Sequence, residues 1–145
     1  MKTETEKDLE LAKAILAEQK CSCVFARNGK TAVHTESGVK PLMLRINFHE
    51  GAMEGISVAD KIVGKAAAML LIFGKAAAVY SPVMSEHAAE LLRSYGIHAE
   101  YGELVKEIRN RTDSGPCPME LAVRNIDDPA KAPEALRAAI VNMKR

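Results

Sequence analysis

The sequence predicts an α/β domain in three layers, with helices on both faces of a mixed sheet of about four to five strands. Two observations carry this reading. Residues 57–80 and 85–101 each run helix, glycine, strand: Ser57 to Phe73, Gly74, then Ala76 to Tyr80, and Ser85 to Tyr95, Gly96, then Ile97 to Tyr101. Successive strand-helix-strand steps place parallel strands side by side. Ahead of them, Cys21 to Arg27 and Lys30 to His34 flank Asn28-Gly29, the residue pair that accepts the positive φ angles of a two-residue hairpin turn.

The remaining elements follow in order. Asp8 to Gln19 places Leu9, Ala12, Ile15 and Leu16 at helical spacing, so this helix should lie on the sheet. From Thr35 to Gly55, glycines and Pro41 surround Leu42-Met43-Leu44, which reads as loop, short helix, loop. The helix from Ser57 is apolar on nearly all sides and should be buried. After Gly102, Leu104, Val105 and Ile108 suggest a short helix, followed by a polar loop to Pro116-Cys117-Pro118 and a helix over Met119 to Asn125. A last helix from Pro133 carries Leu136, Ala139, Ile140 and Met143 in register and ends in Lys144 and Arg145, where positive charge suits the dipole.

Composition limits the function classes. The 145 residues fit one domain, with no repeat or linker to divide them. Hydrophobic residues make up 48% with no Trp, which describes an aliphatic core. Twenty basic residues against nineteen acidic ones form no basic block, so nucleic acid is not the expected partner. No apolar run reaches the roughly 20 residues that span a bilayer. Three cysteines (Cys21, Cys23 and Cys117) and no apolar leader fit a reducing cytoplasm. Cys21 and Cys23 read as small buried hydrophobes. Alanine-rich helices pack as well between chains as within one, which leaves a homodimer open.

The chemistry-bearing motifs are Val58-Ala59-Asp60-Lys61-Ile62-Val63-Gly64-Lys65-Ala66-Ala67-Ala68, Tyr80-Ser81-Pro82-Val83-Met84-Ser85-Glu86, Asn110-Arg111 and Cys117-Pro118-Met119-Glu120. In these, the chain resembles the cytidine-deaminase-like fold and, more narrowly, an uncharacterised bacterial domain-of-unknown-function family with that fold. The resemblance implies architecture and the place of a site, and no established activity. In zinc deaminases a metal-binding residue, a spacer and a glutamate open one helix, and Pro-Cys-x-x-Cys opens the next. The matching positions here are Val58 and Asp60, then Val83 and Glu86. Valine offers no lone pair, so no metal is expected and zinc-dependent deamination is the least favoured reading.

The expected site is a crevice where two helix starts meet at the carboxyl ends of strands, with free amides suited to an anion. Lys61 and Lys65, four apart, should add positive charge, and Lys65 should pair with Asp60 or Glu86. Ser81 and Ser85 serve as N-caps or ligand contacts. Asn110 and Arg111 precede the same loop, where a guanidinium either holds a phosphate or pairs with Asp113 or Glu120. Glu120 joins the residues expected to line the site. A bland alternative for Ser57 to Asp60 is a capping box. The leading expectation is a small-molecule binding or regulatory domain for an anionic ligand, a phosphate, a carboxylate or a nucleotide-derived group, with no cofactor. The alternative is a metal-independent enzyme with Cys117, at a helix start that favours thiolate, as nucleophile and Asp60 or Glu86 moving the proton.

Overall fold

In the computed structural model, residues 1–110 and 112–143 are described. Helix α1 (Glu4–Glu18) opens with Thr3, whose hydroxyl accepts from the Glu6 amide, and with Glu4 and Glu6 at the positive end of its dipole. It buries Leu9, Ala12 and Leu16, and also Asp8. Strands β1 (Cys23–Arg27) and β2 (Lys30–His34) form the expected hairpin, with Asn28 at φ 51° and Gly29 at φ 79°. The buried Asp8 carboxylate accepts from the Asn28 and Gly29 amides at 2.8 and 2.9 Å, which fastens the turn to α1. Helix α2 (Lys40–Ile46) is the short helix expected between loops, and it buries Leu42 and Ile46.

The next segment departs from the sequence reading. Ser57 to Asp60 is a strand, β3 (Ser57–Asp60), followed by the two-residue β4 (Ile62–Val63). The buried helix α3 (Lys65–Gly74) begins only after Gly64. All four β3 residues are buried, because β3 lies between antiparallel β1 and a parallel neighbour. A strand covered on both faces shows no alternation, so its apolar run merged with that of the helix. The capping box is therefore absent, and the Ser57 hydroxyl instead donates to the Thr5 carbonyl. The expected left-handed stop moves as well. Lys75, at φ 60°, takes that conformation, while Gly74 admits Met53, whose Cε would lie 2.4 Å from a Cβ there.

Strand β5 (Ala78–Ser85) is longer than predicted and leads into α4 (Glu86–Ser94). Strand β6 (His98–Val105) then runs through the segment predicted as a short helix. The pairing continues past Tyr101 because Gly102 fits against Pro82, whose carbonyl oxygen would stand 2.9 Å from a Cβ at that position. Pro82 lies within β5. The register of β5 skips it on both sides, opposite Lys61 where β3 gives way to β4 and opposite Gly102 in β6. Helix α5 (Pro118–Ala122), a 3₁₀ turn (Pro129–Lys131) and α6 (Ala132–Met143) complete the chain. Lys144 and Arg145, expected at its positive end, lie outside the described residues.

The sheet is mixed and six-stranded, ordered β2, β1, β3, β5, with β4 continuing β3 along one side of β5 and β6 along the other. β1 is antiparallel to β2 and β3, whereas β3, β4 and β6 all run parallel to β5. The larger core gathers α2 to α6 against one face, around Leu42, Met69, Leu70, Leu92 and Leu136. A smaller cluster of Ala12, Leu16, Val24, Ala26 and Ala59 lies under α1 on the other face. None of the described helices is long and apolar enough to cross a membrane.

Candidate functional site

Pairing of Ile62 with Val83 and Val63 with Met84 brings the starts of α3 and α4 side by side, at the carboxyl ends of β4 and β5. Ligands of open parallel sheets bind at such ends. Neither helix start is bare. At α4, the Ser85 hydroxyl accepts from the Ala88 amide at 3.1 Å, an N-cap as predicted. At α3, the Glu120 carboxylate accepts from both the Lys65 and Ala66 amides at 2.8 Å. The anion expected at this helix start is therefore supplied by the chain itself. Gly64 makes the approach possible, since a Cβ there would lie 2.2 Å from Glu120 Oε1.

Glu120 is delivered by α5, which Cys117 caps and Pro118 opens. The Cys117 amide donates to the Ile108 carbonyl, anchoring the start of this segment. Its other end is held by Lys65, whose Nζ donates to the Arg124 carbonyl at 3.2 Å. This corrects the expected pairing of Lys65 with Asp60 or Glu86. Lys65 as a residue is half-buried, and the partner of its ammonium is a main-chain oxygen.

Asp60, Ser81 and Ser85 are three of the five buried polar side chains among the described residues; Asp60 ends β3, Ser81 lies level with it midway along β5, and Ser85 ends β5. Ser81 turns back on its own strand, donating to the Val83 carbonyl and accepting from the Val83 amide. Ser85 caps α4. Asp60 differs from both. It lies level with Ser81 and across from Cys23, only 4% exposed, and no side chain among the described residues hydrogen-bonds or ion-pairs with it. Burial pushes its carboxyl up to about 8, against the downward pull of the Ile62 and Lys61 amides. It is thus mainly protonated at neutral pH, offering one O–H donor beside an acceptor oxygen. Burial also drives the Cys23 thiol far above its usual range, with Asp60 adding to the effect, so Cys23 is an inert core group.

A family model described as "Domain of unknown function (DUF1893)" matches residues 11–140. The chain belongs to the DUF1893 family. The crystal structure of a DUF1893 family protein, TM1506 from Thermotoga maritima, is similar over 97% of this chain and 91% of that one, at 30% identity and a TM-score of 0.79. No curated protein matches the chain.

In this DUF1893 domain, the other predicted residues scatter. Ser81 precedes Glu86 by five residues of extended chain, about 16 Å, so Asp60 and the exposed Glu86 form no pair. Lys61, expected on a helix face beside Lys65, is exposed on the α1 side of the sheet. Cys117 is half-buried against the main core, and no side chain among the described residues hydrogen-bonds its sulfur. Asn110 holds a turn: its Oδ1 accepts from the Ser114 amide and the Thr112 hydroxyl, and its Nδ2 donates to the Ser114 hydroxyl. Arg111 lies outside the described residues. Of its suggested partners, Asp113 pairs with Arg109 and Glu120 with the α3 amides.

The zinc positions implied by the deaminase resemblance do not fit that metal. Val58 is buried within β3 and Val83 lies within β5; neither stands at a helix start or offers a lone pair. Among the described residues no three His, Cys, Asp or Glu side chains come together as a metal site. Sequence reasoning missed Gly64 and the clamp that Glu120 and Arg124 make on α3, because a cap arriving from 55 residues away leaves no local signal.

Proposed function

We propose that this DUF1893 domain is a small-molecule binding or regulatory domain, with a cytidine-deaminase-like arrangement whose site works without zinc. The ligand is anionic and nucleotide-derived, and binds at the carboxyl ends of β3 and β5. Asp60 carries the reading. A buried acid with no side-chain partner is costly to keep ionised, and the Lys61 and Ile62 amides offset that cost only in part. A protonated carboxyl pairs donor to acceptor with the edge of a nucleobase that presents a ring nitrogen and an amino group. The acidic end of the ligand exchanges for Glu120 at the α3 amides, where a phosphate suits both the free N–H groups and the dipole.

Native mass spectrometry of freshly purified protein should reveal a bound nucleotide-like mass. Thermal-shift titration with nucleoside monophosphates should show saturable stabilisation. Asp60→Asn should weaken it about tenfold while raising the melting temperature of the free protein. Unchanged affinity in that variant would remove Asp60 from the site.

A further inference from the structure

The face of the sheet opposite the Cys23 and Val58 side holds a cleft of about 320 Å³ between α1 and β5, lined by Lys13, Leu16, Ala17, Lys61, Tyr80 and Pro82. Its volume is within the range of small-molecule sites. It lies where pairing is interrupted between Ala59–Tyr80 and Ile62–Val83, level with Pro82 and the exposed Lys61. The floor is the half-buried Tyr80 ring together with Leu16 and Pro82. Two ammonium groups flank it. Lys13 lies 4.6 Å above the Tyr80 ring and is neutralised by Glu100 at 2.9 Å. Lys61 has no carboxylate within ion-pairing distance among the described residues, so its charge is uncompensated.

We infer that this cleft is a second binding site, separate from Asp60, for a small aromatic acid: one ring lying against Tyr80 and Pro82, with its anionic group on Lys61. An apolar, aromatic floor with one free cation at the rim selects for a flat body and a single negative charge. Dicarboxylates and neutral rings each satisfy only half of the site.

Salicylate and its uncharged analogue salicylamide test this on the full chain, by amide chemical-shift mapping in ¹⁵N-labelled protein. Salicylate should produce saturable shifts at the Leu16, Lys61 and Tyr80 amides, and salicylamide should bind more weakly. Lys61→Glu, at an exposed position that the fold does not depend on, should weaken salicylate about fivefold and leave salicylamide unchanged. The inference is overturned if these amides show no saturable shift, if salicylamide binds as well as salicylate, or if Lys61→Glu leaves salicylate affinity intact. Because Asp60 is untouched in every arm, either outcome leaves the reading of the other face standing or falling by its own test.

Discussion

Asp8 and Asp60 are equally hidden, at 3% and 4% exposure, yet the chain treats them in opposite ways. Asp8 receives two short main-chain hydrogen bonds from a hairpin turn and fixes α1 to it. Asp60 has the pull of the Lys61 and Ile62 amides but no side-chain partner among the described residues, sits against a thiol, and is held mostly neutral. The first burial stabilises the fold, because a hydrogen-bonded carboxylate compensates for its lost hydration. The second destabilises it. Burial alone therefore does not separate the two acids; what differs is how far main-chain amides offset the lost hydration.

The contrast breaks most visibly at Asp8. Asp8→Ala should cost about 3 kcal/mol in urea unfolding, because it leaves the Asn28 and Gly29 amides unpaired. Next comes the Glu120 clamp. Gly64→Ala forces Glu120 away from α3 and should cost about 2 kcal/mol. Glu120→Gln keeps the shape but weakens the cap, and should cost about 1 kcal/mol.

Asp60→Asn should act with the opposite sign. Folding raises the Asp60 carboxyl from its ordinary 3.8 to about 8. Between those values the folded chain holds a proton that the unfolded chain has released, so stability falls as pH rises through the window. The wild type should match the variant near pH 4 and be less stable by at least about 1 kcal/mol at pH 8. Thermal melts across that range read the difference. Lys61→Glu, on the surface, should change stability by less than about 0.5 kcal/mol.

Local signals in the sequence were sufficient for much of the fold. The Asn28-Gly29 turn, the helix before it, the Ser85 cap and the parallel strand steps all depend on residues near one another in the chain. Two kinds of information were not local. β3 is too short and too evenly buried to show a period, so Asp60 was read at a helix start when it ends a strand. The occupant of the α3 amides comes from α5, and nothing around Lys65 announces it. The motif containing Glu120 was visible, but its role as the chain's own anion depends on the three-dimensional path between them. Likewise, the meeting of the two helix starts was legible, while the placement of Lys61 on the opposite face was hidden by taking residues 57–73 for one helix.

The most direct test is a carboxyl ¹³C titration of Asp60, assigned with the Asp60→Asn variant. Titration with a midpoint near 8, and a protonated carboxyl at pH 7, is the predicted result. A midpoint at or below the ordinary 3.8 would mean that burial does not hold the Asp60 carboxyl neutral, and would contradict the account.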